Sequence, residues 1–159
     1  MHPRAQQLIH ELQLEPHPEG GFYRELYRST NKVQPQDART ARAAMTTIYF
    51  LLAPPAFSRW HAVASDELWH LYEGGPIELR ISDPNVNAVH ATRLDRVTDA
   101  TRPVAVVPAS HWQAARVLGD YALIGATVAP GFEFADFTFL ASQRELAAKL
   151  RDPIDRALL

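Results

Sequence analysis

Turn residues interrupt this chain every few positions from Gly20 onward. The runs between them are too short and too rich in β-branched and aromatic residues to be anything but strands. Phe22 to Tyr27 alternates aromatic or apolar with charged side chains, the period of a half-buried strand. Thr46 to Leu52 is a buried run stopped by Pro54-Pro55. Glu67 to Tyr72, Ile77 to Ile81, Val89 to Leu94, Val104 to Val107, Trp112 to Leu118 and Ala122 to Val128 follow. Gly74-Gly75-Pro76, Asp83-Pro84-Asn85, Pro108 and Gly119-Asp120 separate them. Such spacing predicts an all-β sandwich or barrel.

Helices are confined to the ends. Leu8, Ile9 and Leu12 stand at helical spacing, and Pro16 to Gly21 stops that helix. At the other end a helix is expected over 142–152, with Ser142 and Glu145 as a capping box, Leu146 and Leu150 buried, and Pro153 as the stop. Ser29 to Arg42 is polar and reads as a mobile loop.

The 159 residues suit a single domain, 1–159, with its core over about 17–140. An apolar fraction of 47% is enough to fill one core. Sixteen Lys and Arg against eighteen Asp and Glu leave a formal charge of -2 and no basic surface, so no nucleic-acid partner is expected. The chain has no cysteine, which removes disulfides and thiolate metal sites and fits a reducing compartment. Met1-His2-Pro3-Arg4 lacks the apolar core of a signal peptide, and Ile48 to Ala53 is too short to cross a bilayer. The expectation is a cytoplasmic protein with no membrane partner.

One segment carries chemistry. Ser58-Arg59-Trp60-His61-Ala62-Val63-Ala64-Ser65-Asp66-Glu67, running on to Gly74, resembles the first cupin motif. His61, Glu67 and Gly74 fall on its histidine, glutamate and glycine, and Val63 stands where a second histidine is usual. Val107-Pro108-Ala109-Ser110-His111-Trp112-Gln113 resembles the second motif, with Ser110 for its glycine and Gln113 for its histidine. His17 to Glu25, Trp112 to Ala115 and Pro130 to Phe137 make the chain similar to one single-domain group, cupin family five. The resemblance implies a double-stranded β-helix, the cupin jelly-roll barrel, with short N- and C-terminal helices. It also implies a homodimer and no settled reaction.

Strand alternation puts His61 with Val63 on one face, and Glu67 with Trp69 on one face of the next strand. If the resemblance holds, both faces and Gln113 point inward, against an apolar wall that includes Phe50, Val63 and Trp69. Tyr23 and Glu25 share a face near the barrel mouth, and Phe134 closes the far side. Tyr23, Glu25, Phe50, Trp69, Gln113 and Phe134 are therefore the expected ligand contacts, with His61 and Glu67 as the acid–base pair. His61, Glu67 and Gln113 also form a weak candidate site for a divalent ion, since the usual cupin set is three histidines and a glutamate.

Plainer readings stand beside these. His61 and Gln113 fit satisfied polar residues, Trp60, Trp69 and Trp112 fit packing, and the Gly20-Gly21 pair fits a sharp turn. His10, His17, His90 and His111 read as surface or loop. Three functions stay open: an isomerase, epimerase or lyase acting on a small polar metabolite such as a sugar or nucleotide-sugar; a metal-dependent, dioxygenase-like cupin enzyme; and a non-catalytic nucleotide- or sugar-binding module.

Overall fold

The computed structural model describes all residues from Met1 to Leu159. After helix α1 (Pro3–Glu11) come β1 (Glu15–Pro16), β2 (Phe22–Arg28), β3 (Lys32–Val33), β4 (Arg42–Ala43) and β5 (Thr46–Leu52). The barrel continues with β6 (Ser58–Val63), β7 (Asp66–Gly74), β8 (Ile77–Ser82), β9 (Val89–Leu94) and β10 (Val104–Val107). It closes with β11 (Trp112–Val117), β12 (Ala122–Ala129) and β13 (Phe137–Phe139), ahead of α2 (Arg144–Ala147) and α3 (Pro153–Ala157).

Two antiparallel sheets face each other, one in the order β1-β2-β5-β12-β7-β10 and the other β13-β6-β11-β8-β9. This is the all-β architecture predicted by the strand and turn pattern, in the jelly-roll arrangement that the cupin resemblance implies. Phe50, Leu52, Trp69, Ile77, Leu79, Ala115 and Ile124 fill the space between the sheets. Their neighbours along the same strands face outward into two further clusters. Leu51 and Leu123 meet Ala5 and Leu8 of α1, while Trp60, Trp112 and Ala114 meet Leu140, Leu150 and Leu158 from the C-terminal segment. Strands buried on both faces lose the polar half of their alternation. That is why Ile48 to Leu52 reads as one apolar run.

The C-terminal segment differs from expectation. No single helix spans 142–152: Leu140–Ser142 forms a 3-10 turn, α2 is only Arg144–Ala147, and Pro153 begins α3 instead of stopping a helix. Ser142 caps nothing, because its hydroxyl donates to the Phe139 carbonyl. Pro153 sits at the first helical position, where no N–H is needed, and the Asp152 carboxylate accepts from the Ile154 N–H. The polar segment 29–42 is likewise pinned. β3 pairs with β4, and the Asp136 carboxylate accepts from both the Arg42 and Arg39 guanidiniums.

Candidate functional site

β2, β5, β6, β7 and β12 aim their inward side chains at one end of the barrel, where a cavity of about 550 Å³ opens. Tyr23 and Glu25 come from β2, Ile48 and Phe50 from β5, and His61 and Val63 from β6. β7 contributes Glu67, and Phe132, Phe134 and Phe137 complete the wall. The size and the mix of aromatic walls with a few polar groups are those of a small-molecule site.

His61 is 2% exposed and both of its ring nitrogens are engaged. Nδ1 lies 2.7 Å from the Arg59 carbonyl, which can only accept, so Nδ1 carries a proton. Nε2 lies 3.0 Å from Glu19 Oε2. A neutral imidazole presents only a lone pair there, which an ionised Glu19 carboxylate would oppose. Burial lowers the pKa of His61, against the opposing pull of the Glu67 charge and the Arg59 carbonyl. Burial also pushes Glu19 up to about 8, only partly offset by Ser58 and Arg59. Both shifts favour the uncharged forms, with Glu19 keeping its carboxyl proton.

His17 flanks this pair. Its Nδ1 accepts the Glu19 backbone N–H at 3.3 Å, and its ring meets Tyr23 edge-on at 4.6 Å. Burial, helped by the proximity of His61, lowers its pKa to about 4, so His17 is neutral at ordinary pH.

Glu67 holds the second carboxyl of the cavity. Gln113, on β11 of the opposite sheet, donates its amide Nε2 to Glu67 Oε2 at 2.6 Å and accepts the Trp69 indole N–H at 2.9 Å. An indole can only donate, so the amide oxygen must face Trp69 and the NH2 must face Glu67. Burial raises Glu67 to about 7; His61 and the Gln113 hydrogen bond pull it down, while Glu19 pushes it up.

The structure thus brings Tyr23, Glu25, Phe50, Phe134, His61 and Glu67 to the cavity wall. It does not bring Trp69 or Gln113 there. Both are 1% exposed and stand one layer behind the wall, and Gln113 orients Glu67 from that position. Trp69 is packed edge-on against Phe50 in the core, 6.0 Å between centroids. His17, read from the sequence as surface or loop, lies inside because the turn after it folds back into the barrel mouth. Glu19 precedes the Gly20-Gly21 turn and has no role in the sequence pattern beyond it. The signal that could have found the two is their i, i+2 spacing, which puts side chains of an extended segment on one face.

The turn that delivers Glu19 depends on Gly20. This residue has φ +120, and an added Cβ would sit 2.0 Å from the Phe57 carbonyl oxygen. We expect Gly20→Ala to cost more than about 2 kcal/mol, seen as a fall in Tm of about 5 °C or more. A variant within a degree of the parent would show that the turn tolerates a side chain.

The residues present do not fit the metal set suggested by the motif. The Gln113 oxygen is taken by Trp69, Val63 supplies no donor, and His61 Nε2 is turned to Glu19. No three His, Asp or Glu side chains gather at ligating range. The Gln113 assignment fails because alternation along β11 gives the face of a side chain but not which of its atoms is free.

Residues 6–140 match the Cupin_5 family, described as Cupin superfamily (DUF985). An uncharacterised protein from Saccharomyces cerevisiae, YML079W, is 31% identical over 155 residues, which cover 89% of this chain and 77% of the yeast protein. A hypothetical protein from Leishmania major superposes with a TM-score of 0.85 at 30% identity, over 97% of both chains. Protein SO0799 from Shewanella oneidensis gives 0.77 at 31% identity, over 94% of this chain and 98% of that one. Oxalate decarboxylase from Bacillus subtilis shares the fold alone, with a TM-score of 0.58 at 13% identity over 81% of this chain and 30% of that one. With the barrel, the inward His61 and Glu67, and a match running from the first helix to the end of the last strand, the chain belongs to the Cupin_5 family of the cupin superfamily.

Proposed function

We propose that the barrel cavity catalyses proton transfer on a small polar metabolite, as an isomerase, epimerase or lyase does next to a carbonyl. The observation that carries this reading is the meeting of two buried carboxyls on one cavity wall, with pKa values near 7 and 8, on either side of His61. Buried carboxyls displaced towards neutrality are suited to accepting and returning protons at ordinary pH.

The two carboxyls have separate tasks. The Glu67 carboxylate takes the proton from the carbon beside the carbonyl, and the electron pair left behind moves onto the carbonyl oxygen. The Glu19–His61 pair supplies the proton that this oxygen needs, forming an enediol-type intermediate. Return of a proton from water to the opposite face of the same carbon, with this oxygen giving its own back to Glu19, completes an epimerisation; return of the Glu67 proton to the former carbonyl carbon, with the neighbouring hydroxyl giving up its proton to Glu19, completes an isomerisation. His61 acts through Glu19 here, since neither of its nitrogens is free for substrate.

The pH dependence follows from these roles. Glu67 must be ionised, so activity rises through about 7; Glu19 must keep its proton, so activity falls through about 8. A narrow bell is expected between them. The test is incubation in D2O with hydroxycarbonyl compounds of about three to six carbons, following solvent deuterium into carbon by NMR. Carbon-bound deuterium with the narrow bell supports the reading. No exchange across the set, or a rate flat with pH, would overturn it.

A further inference from the structure

The ionisable groups inside the cavity are gathered together. Glu19 lies 3.0 Å from His61, and Glu67 is close enough to feel the charge of both. His17 is bonded to the Glu19 backbone and meets the Tyr23 ring edge-on. Of the other charged lining residues, Glu15, Arg24 and Glu25 are exposed, and Arg28 and Glu133 pair with each other at 34% and 45% side-chain exposure. Charge is thus found at the inner cluster and at the rim, and what lies between them decides what the cavity takes.

From Glu67 the strand register leads to the rim over hydrocarbon. Val128 of β12 stands opposite Glu67, Thr46 of β5 opposite Val128, and Arg28 of β2 opposite Thr46. The next inward row runs from Trp69 through Ala126 and Ile48 to Glu25. Strands lie about 4.8 Å apart, so about 14 Å separates Glu67 from the rim at β2. Within that span Val128, Ala126 and Ile48 line the cavity, and Val63 with its register partner Phe137 lines it from the facing sheet. The one hydroxyl on the strip, Thr46 Oγ1, already accepts the Phe132 N–H at 3.0 Å. The backbone adds nothing, because β5 and β12 are inner strands with both edges paired. A polyhydroxylated chain laid here surrenders water at each hydroxyl and finds no replacement, whereas alkyl carbons gain by leaving water.

We propose that the substrate is amphiphilic, with a hydroxycarbonyl head at the Glu19, His61 and Glu67 cluster and a plain hydrocarbon tail lying over Val128, Ala126 and Ile48 towards β2. The proposal rests on the proton-transfer reading of the same cavity and confines the metabolite's polarity to its reacting end. It removes sugars and nucleotide-sugars from the readings opened by the sequence.

The experiment is calorimetry and thermal shift on the full chain with hydroxymethyl ketones carrying ethyl, propyl and pentyl tails. Erythrulose and xylulose serve as the hydroxylated counterparts of the first two, with the same carbon chain and the same head. Affinity should rise about fourfold per methylene, roughly 60-fold from ethyl to pentyl. Each sugar should bind about tenfold or more weaker than its counterpart. Ala126→Leu fills the strip, so the pentyl ketone should then bind no better than the ethyl one. Ile48→Thr keeps the branched shape at a half-buried position and should reduce the gain with length about threefold or more, which covers the case of Ala126→Leu failing to fold. The proposal is overturned if the sugars bind as well as their counterparts, if affinity is flat with tail length, if the folded variants keep the full gain, or if no member binds. These readouts need no turnover. A gain with length but no deuterium incorporation would keep this inference and sink the catalytic reading; exchange on the two sugars as fast as on their counterparts would do the reverse.

Discussion

Glu67→Gln is expected to lower solvent-proton exchange by about 10²–10⁴-fold, the usual worth of a positioned acid–base group, and at the same time to make the protein more stable at pH 8. Glutamine keeps the shape and can still accept the Gln113 amide, so the fold has no reason to change. The gain in stability follows from where the proton resides. In the folded chain Glu67 releases its proton near 7, whereas an unfolded glutamate does so near 4.5. Between these values the folded state holds a proton that the unfolded state has lost, so stability falls as pH rises through that window. Above about 7 the whole cost is present, up to about 3 kcal/mol for a shift of this size.

Glutamine does not titrate and escapes that cost. The two proteins should therefore melt alike near pH 4, separate between 4.5 and 7, and stay apart above it, by roughly 5–10 °C in Tm. Thermal unfolding followed across pH decides the matter; parallel curves would mean that Glu67 is not strained by burial. Glu19→Gln should behave in the same way, with its window reaching to about 8. The opposite trend from His17, whose lowered pKa makes stability rise between about 4 and 6.5, is common to parent and variants and cancels in the difference.

Gln113→Leu should be among the most destabilising single changes in the barrel interior. It removes two hydrogen bonds at once and leaves the Trp69 indole N–H and Glu67 Oε2 buried without partners. Each orphaned group costs about 1–3 kcal/mol, so a loss of about 3 kcal/mol or more is expected, a large fraction of the stability of an ordinary domain. Leucine is close in volume and adds no cavity, so packing does not confuse the result. Without the amide donor the Glu67 pKa should also move further up, shifting the lower limb of the pH–rate profile upward. Urea unfolding gives the first quantity and the pH–rate profile gives the second. A variant as stable as the parent would show that the amide bridge contributes nothing net. A rim change such as Phe134→Ala should cost far less, since that ring is 56% exposed.

The fold was legible because strand length, alternation and turn chemistry all pointed the same way. Where that agreement failed, the cause was local. Pro153 suits a helix stop and a first helical position equally well, and only the Asp152 cap decides between them. The site was half legible. His61 and Glu67 sit on regular strands, where a two-residue period assigns each side chain to a face. Period says nothing of depth, which is why Gln113 and Trp69 share the inward face of the wall residues yet stand behind it. Glu19 and His17 lie on an irregular segment folded inward by Gly20 against Phe57, and no local pattern announces a long-range return of that kind.

The amide clamp on Glu67 has one more consequence. Because an indole cannot accept, Gln113 cannot turn over, and the oxygen of Glu67 that it grips faces a donor in either ionisation state. Protonation there would set two hydrogens against each other. The acid hydrogen is therefore directed to Oε1, so that a buried tryptophan decides which oxygen of Glu67 would carry the proton in the proposed reaction.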